Sequence, residues 1–220
     1  MLAKYPVLTI VGGCAMAFAI WVGAGTFEIL RQFVYPVIPL PDASRIVVLE
    51  HWDAAASRSE SWLTQDLLAW RRSVTSVADL GAFRSVERNL MITEGSAEPV
   101  TIAEMSAATF RVLRVAALLG RPLVDTDEAP SAPLVVVIGF DLWQSRFQAD
   151  PNVIGRTLKI SGIPATIVGV MPEGFAFPHS QELWTPLKLD ATVAPRQGVG
   201  LSVIGRLAQG ATLEQARTEL

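Results

Sequence analysis

The sequence has few of the residues that most often carry out chemistry. It contains one cysteine, Cys14, and two histidines, His51 and His179, which lie far apart in the chain. A single cysteine cannot form an internal disulfide, and this set is too small for a standard zinc site. The sequence therefore excludes a disulfide-stapled domain and a Cys/His zinc centre.

Catalytic and phosphate-binding motifs are also missing. There is no G-x-x-x-x-G-K-[ST] and no G-x-G-x-x-G motif, and His179 beside Ser180 has no G-x-S-x-G motif to accompany it. Asp125, Asp127 and Glu128 lack the glycine and the distal glutamate of a calcium loop, so we interpret them as a solvated acidic loop. We predict that the chain is not an enzyme and has no cofactor, with no catalytic, cofactor-binding or metal-binding residues.

Charge is missing from the front of the chain. No charged residue occurs from Tyr5 to Phe27, and a helix of this length spans about 34 Å, which is close to the thickness of a bilayer core. We predict a transmembrane helix over Val7 to Leu30. A secretory signal peptide, with Gly23 and Gly25 before the cleavage site, is one alternative, but its apolar region normally has only about 7 to 15 residues. A buried core helix is the other, but a helix that is apolar all round at this length would need a larger protein to surround it.

The remaining charges are nearly balanced, with a formal net charge of −3. No dense Lys/Arg cluster is interleaved with aromatic residues, which excludes nucleic acid as an expected partner. We expect the N-terminus in the cytoplasm and the bulk of the chain on the other side of the membrane, although the flanking charges mark this orientation weakly. Ala15, Ala19 and Gly23 form a small-residue stripe suited to another membrane helix, or reflect an Ala/Gly-rich composition alone.

A mixture of strands and helices is predicted after the prolines of YPVIPLPD, without a repeated βα period, which favours an α+β fold. Strands are expected at about 45–50, 77–83, 89–93, 100–105, 134–139 and 200–207, with a hairpin at 158–170 that turns near Gly162. Helices are expected where apolar residues recur at helical spacing, namely Leu63, Leu67, Trp70 and Val74 in one segment and Phe140, Trp143 and Phe147 in another. Ser106 is a plausible N-cap of a helix between these two segments.

The six tryptophans suggest a ligand-stacking hypothesis. Trp70 and Trp143 lie at core spacing, and we expect Trp184 to cap a strand end. Trp52 and Trp62 flank polar stretches, so for these two a partner or ligand surface stays open.

The final segment, GATLEQARTEL, predicts a helix that has only begun at Leu220. Thr212 and Gln215 form a capping box, and Leu213 and Ala216 continue an apolar face. We expect the chain to be the front part of a longer protein.

Several of these segments, taken in order, resemble one known family. They read SAATFRVLRVAALLGRPL, then PLVVVIGFDLWQSRFQADPNVIGRTLKISGIPATIVGVMPEGFAFP, then ELWTPL, and finally GRLAQGATLEQARTEL. The pattern resembles the MacB-like periplasmic core domain of FtsX/MacB-type ABC-transporter permeases, and especially duplicated acidobacterial-style permeases.

The resemblance implies a transmembrane helix and stalk at 1–35, followed by a two-lobe extracytoplasmic domain. A porter-like βαβ lobe would comprise 36–105 plus 198–220, and a smaller mixed α/β lobe would be inserted at 106–197. The implied function is a membrane permease component of an ATP-driven transporter or mechanotransmission complex. Its implied partners are a separate ABC ATPase subunit, further permease transmembrane helices or a second permease copy, a periplasmic protein, and membrane lipid.

The chain departs from the family pattern in two places, the segment YPVIPLPD, which is looser than the usual leucine-arginine-proline form, and Arg114. Family members commonly have glycine where this chain has Arg114. If that position is left-handed, arginine should cost about 1 kcal/mol relative to glycine.

A membrane-anchored binding module without an ATPase is the alternative function, and a hydrolase with an unrecognised site ranks third.

Overall fold

The structure is a computed structural model. It describes residue 16 and residues 42–219, except residues 50, 54–57, 61, 93–95, 191, 193 and 195–197. The predicted membrane span Val7 to Leu30 and the stalk therefore lie outside the described residues, apart from Met16. No helix within the described part of the chain is long and apolar enough to cross a membrane.

Eleven strands and four α-helices make up the described fold, which confirms the mixed α+β class. The strands are β1 (Ile46–Leu49), β2 (His51–Asp53), β3 (Arg58–Glu60), β4 (Val77–Met91), β5 (Glu98–Met105), β6 (Leu119–Gly120), β7 (Val135–Ile138), β8 (Thr157–Ile160), β9 (Ile163–Val170), β10 (Leu183–Pro186) and β11 (Ser202–Leu207). The helices are α1 (Thr64–Ser73), α2 (Ala107–Leu113), α3 (Phe140–Phe147) and α4 (Leu213–Glu219).

Nine strands form one sheet, in the order β1-β11-β4-β5-β10-β7-β9-β6, while β2 and β3 pair separately. The ninth strand, β8, pairs with both β4 and β9. Six strands therefore close into a ring, β4-β5-β10-β7-β9-β8, which returns to β4. Within this ring β10 runs parallel to β5, and β7 runs parallel to β9.

Strand β4 is longer than the sequence predicts. Separate strands at 77–83 and 89–93 were expected, and this prediction is wrong because the intervening polar residues continue the strand. Arg84 lies opposite Glu104 of β5 and donates to it over 2.6 Å, and Arg88 donates to the other carboxylate oxygen over 2.8 Å. The 15-residue strand extends about 50 Å at the usual rise per residue.

The first apolar cluster fills the ring. Each of its six strands contributes buried side chains, which pack with Leu142, Phe147 and Val153: Leu90, Ile102, Val136, Ile138, Leu158, Ile160, Ala165, Ile167, Val170 and Leu183. The run LVVVIG was predicted to form a buried strand, and all four residues of β7 are buried. The alternating pattern of β8 matches the predicted hairpin, whose turn uses left-handed Ser161 and Gly162.

Two further clusters lie outside the first. One surrounds the buried Trp184 and includes residues of α2, and the other joins α1, β1, β11 and α4. Leu67 belongs to the cluster that joins α1, β1, β11 and α4, and Trp70 packs against it. Phe147 belongs to the cluster that fills the six-strand ring, here called the ring cluster, and Trp143 packs against it. The two predicted helix faces therefore pack in different clusters. The lobe boundaries stay a prediction, and β4 and β5 pair with strands from both predicted ranges.

Candidate functional site

Helix α2 lies close against strand β4. Its residues are almost all buried, with Arg111 as the exception. Gly81 of β4 makes the close approach possible, because a Cβ atom at this position would lie 2.6 Å from the Cα of Thr109. Thr109 also donates from its hydroxyl to the carbonyl of Ala82 over 3.1 Å. The helix and the strand are thus joined by packing and by a buried hydrogen bond.

The N-terminal end of α2 is held by β4 and by the loop at Asp125–Glu128. The backbone of Ala82 donates to the Ser106 hydroxyl over 3.0 Å and accepts from the Ser106 amide over 2.9 Å. Ser106 occupies the predicted N-cap position, but its side chain does not cap a backbone amide of the first turn, and its hydroxyl lies 3.1 Å from the Thr109 hydroxyl. Glu128 accepts from the amide of Ala107 instead, over 2.6 Å.

This loop is not the solvated acidic loop that the sequence predicts. Asp127 is buried and forms a bidentate ion pair with Arg121, at 2.7 and 2.9 Å. Burial alone would raise the pKa of Asp127, but hydrogen bonds from Arg121 and from the amide of Val124 lower it. Burial raises the pKa of Glu128 despite its bond to Ala107. Only Asp125 of the three acidic residues is exposed, so the prediction is wrong for the other two.

The C-terminal end of α2 is held by a buried arginine. Arg206 of β11 is 1% exposed, and its Nε donates to the carbonyl of Val112 over 2.8 Å. Its Nη1 donates to the carbonyl of Asp42 over 3.2 Å. Burial first, and then the charge of Arg114, lower the pKa of Arg206. One guanidinium therefore bridges the helix end, the sheet and the residue that follows the proline-containing segment 36–41.

Arg114 completes this contact. It is the C-cap residue of α2, and its backbone is left-handed, with φ 55° and ψ 33°. Its side chain forms an ion pair with Asp42 at 3.4 Å. Arg45, three residues after Asp42, donates to the carbonyl of Leu207 at the end of β11. We call the group Asp42, α2 and Arg206, with Arg114, the α2 joint.

A second surface feature contains one of the tryptophans left open by the sequence. The edge strand β1, helix α1 and helix α4 border a cavity of about 620 Å³ whose lining includes Val48, Trp62, Trp70 and Leu213. The two indole rings meet edge to face with centroids 4.1 Å apart. The Trp62 Nε1 donates to the carbonyl of Leu49 over 2.7 Å. Trp62 thus both fixes local structure and borders an open apolar space.

The other predicted aromatic residues have structural contacts. Trp184 is fully buried inside β10, a strand in the middle of the sheet, and donates to the carbonyl of Phe177 over 2.7 Å. Trp143 is half-buried against the ring cluster and donates to the carbonyl of Asp150 over 2.9 Å. His179 donates its amide to the side chain of Gln181. In the described part of the chain, no three His, Cys, Asp or Glu residues are grouped as a metal site would require.

The structural roles of Arg206 and Glu128 at the two ends of α2 were not predicted from the sequence. A weak signal for Arg206 was present, because it follows Ser-Val-Ile-Gly in a short strand where a charged residue must find a partner if it is buried. Its partners are backbone carbonyls about 90 and 160 residues earlier in the chain. No local pattern could have identified them.

Comparisons with known proteins agree with this architecture. The profile of the MacB-like periplasmic core domain family matches residues 7–220. The periplasmic region of MacB from Actinobacillus actinomycetemcomitans has a TM-score of 0.60 and 16% identity, covering 79% of this chain and 78% of that one. The extracellular domain of the noncanonic ABC-type transporter YknZ from Gram-positive bacteria has a TM-score of 0.57 and 14% identity, covering 79% and 88% respectively. No curated protein sequence matches the chain.

Proposed function

The chain belongs to the family of MacB-like periplasmic core domains of ABC-type transporter permeases, and we propose that its role is mechanical. In this proposal the domain is part of a permease in the inner membrane, and a separate ATPase subunit drives it. Movement of the predicted membrane helix passes through the stalk and the proline-containing segment 36–41, here called the linker, to the extracytoplasmic domain. The domain then transmits that movement to a periplasmic partner or to the rest of the permease.

One observation carries the proposal, namely that the end of the linker is bonded to a buried helix. Arg206 of β11 contacts both the Asp42 carbonyl and the Val112 carbonyl, so a displacement at residue 42 would act on α2 through one side chain. Helix α2 is joined in turn to β4 at Ala82 and to the Asp125–Glu128 loop at Ala107. Since β4 pairs with β11 at one end and with β8 at the other, the hydrogen bonds of the sheet continue from this contact in both directions.

The family's place in ABC-type transporter permeases supports an ATPase partner. A non-enzymatic role agrees with the polar groups of the α2 joint, which contact backbone carbonyls, backbone amides and one another. These contacts fix geometry, and they leave no side chain poised as an activated nucleophile.

A membrane-anchored binding module is the second candidate function. The observation that favours it is the cavity of about 620 Å³ beside Trp62 and Trp70, whose size and apolar lining suit a small ligand. This function needs no ATPase and no movement of the linker. The two functions therefore differ in what ATP should do to the domain.

The experiment compares hydrogen exchange of α2 in the full-length permease with its ATPase, with and without ATP. We expect ATP to change the exchange of residues 107–113 in the wild type. Replacing Gln32 and Phe33 with glycine should weaken the stalk by roughly 1 kcal/mol of helix propensity per residue and abolish this change, while ATPase binding persists. The matched control replaces Gln144 and Ser145, two exposed residues of α3, with glycine and should retain it.

Two results would overturn the mechanical role. One is a wild-type complex whose α2 exchange does not respond to ATP. The other is a Gly-Gly stalk that is demonstrably flexible and still transmits the full response. Either result makes the anchored binding module the better function.

A further inference from the structure

Two residues that contact each other in the α2 joint share an uncommon backbone conformation. Asp42 has φ 51° and ψ 44°, and Arg114 has φ 55° and ψ 33°. Left-handed backbone is unfavourable for residues with a Cβ atom, although the short polar side chain of Asp or Asn reduces the penalty. Arginine has no such advantage. Glycine would fit position 114 better, so the backbone does not account for the arginine.

The side chain of Arg114 supplies the missing reason. Its backbone amide donates to the carbonyl of Phe110 over 2.9 Å, which fixes the residue to the last turn of α2. Its Nη1 lies 3.4 Å from the Oδ2 of Asp42. The left-handed turn therefore directs a long cationic side chain from the helix end toward the end of the linker. Arg206 holds the backbone of the same aspartate from the sheet.

We propose that Arg114 and Asp42 form a releasable anchor that holds the end of the linker to the C-terminal end of α2. The inference rests on the proposed function for its purpose, because a fixed linker matters most in a domain that receives movement through it. Arg206 restrains the Asp42 carbonyl, and Arg114 restrains its carboxylate. The anchor is a positioning contact, and neither residue acts on a substrate.

The exposure of the pair makes the anchor releasable. The side chains of Arg114 and Asp42 are 50% and 60% exposed. Exposed ion pairs contribute little to folding stability and weaken as salt is added. The pair can therefore open without unfolding the domain, and the buried bond from Arg206 to the Val112 carbonyl does not depend on it.

The first test measures hydrogen exchange at residues 42–46 in the full chain without ATPase or ATP. Arg114→Gly should raise exchange there by about twofold to fivefold, the factor that corresponds to the loss of an exposed ion pair. Thermal stability should be retained or should rise by up to about 4 °C, because glycine accepts the left-handed backbone. A purely structural residue would instead lower the melting temperature as the exchange rises.

The matched control is Gln148→Gly. Gln148 is the exposed C-cap of α3, with φ 53° and ψ 34°, so glycine should relieve the same backbone strain there. Exchange at 42–46 should not change in this variant. A rise equal to that of Arg114→Gly would overturn the anchor, since the effect would then come from glycine and not from the lost ion pair.

Asp42→Asn tests the other partner. Asparagine tolerates the left-handed backbone but removes the charge, so exchange at 42–46 should rise as in Arg114→Gly. The double variant should show no further increase, because both changes remove one interaction. Arg114→Lys should retain part of the protection. Additive effects of the two single changes would overturn the anchor.

The ATP-dependent exchange of α2 separates this inference from the proposed function. If the 42–46 exchange responds as expected but α2 in the wild-type complex ignores ATP, the anchor stands and the mechanical role fails. If α2 responds to ATP but Arg114→Gly leaves the 42–46 exchange unchanged, the mechanical role stands and the anchor fails.

Discussion

Helix α2 and helix α4 have the same length but opposite relations to the fold. Both have seven residues, yet six residues of α2 are buried and only Ala216 of α4 is. In burial, helix α1 resembles α4, since only Thr64 and Leu67 of its ten residues are buried. A buried helix moves with everything packed around it, whereas a helix on the surface can shift at small cost. In the proposed function, movement would therefore spread through α2 and not through α4.

The two helices are also attached by different kinds of contact. Helix α2 packs Phe110, Val112 and Leu113 into the apolar cluster that contains Trp184. Helix α4 depends on a carboxylate at its end, where Glu219 accepts four hydrogen bonds from Thr75 and Ser76. Apolar attachment depends little on pH, and the carboxylate attachment depends on it directly.

The largest expected effect is the difference in stability loss between a leucine-to-alanine substitution in α2 and one in α4. Leu113→Ala in α2 should lower the free energy of unfolding by about 2 to 5 kcal/mol, because it opens a cavity where the side chain is 1% exposed. Leu213→Ala in α4, where the side chain is 45% exposed, should cost less than about 1 kcal/mol. Denaturant unfolding of the full chain in detergent measures both values. Equal losses would remove the distinction between the helices.

Much of the fold could be predicted because its elements carry local patterns. The apolar spacing of Leu67 and Trp70 predicts α1, and the buried run of β7 shows in its sequence alone. The capping box at Thr212 and Gln215 is present, with bonds of 2.9 and 3.3 Å. The ring closure through β8 could not be predicted, because it depends on pairing between Leu90 and Ile160, which are distant in the chain.

A second prediction concerns α3, which lies between α2 and α4 in burial. Trp143→Ala should lower the free energy of unfolding by about 3 kcal/mol. The half-buried indole packs against the apolar cluster inside the six strands, and its Nε1 donates to the Asp150 carbonyl. Trp143→Phe keeps most of the packing and should cost about 1 kcal/mol for the lost hydrogen bond. The same denaturant experiment measures both. A change near zero for the alanine variant would show an exposed ring and restore a ligand-stacking role.

The candidate site could be predicted only in part. The glycine that family members commonly have at this position led to the cost of a left-handed backbone at Arg114 being considered, and the residue is left-handed, with φ 55°. Its contact with Asp42 was not expected, because the two residues are separated by more than 70 positions and no sequence rule links them. The burial of Asp127 and the partial burial of Glu128 were not predicted for a related reason. The acidic composition of their loop indicates solvent exposure, but Arg121 and the first amide of α2 supply partners that permit burial.

The smallest expected effect concerns pH and the attachment of α4. Hydrogen bonds from the amide and hydroxyl of Ser76, and then from those of Thr75, lower the pKa of Glu219 from 4.5 to about 2. A carboxyl group whose pKa is lower in the folded state stabilises the fold above its unfolded pKa. That contribution should be complete above about pH 5 and should disappear as the pH falls from 4.5 toward 2.

Glu219→Gln tests this attachment because it removes the titrating group and keeps the shape of the side chain. At pH 7 the variant should melt slightly below the wild type, and the two melting temperatures should converge as the pH falls toward 2. Hydrogen exchange at Thr75 and Ser76 should rise in the variant at neutral pH, since their amides lose a charged acceptor. Exchange in α2 should stay the same, because its contacts do not involve Glu219. Parallel melting curves across this pH range would show that the carboxylate does not hold α4 in place, and α4 would then have to depend on its apolar contacts alone.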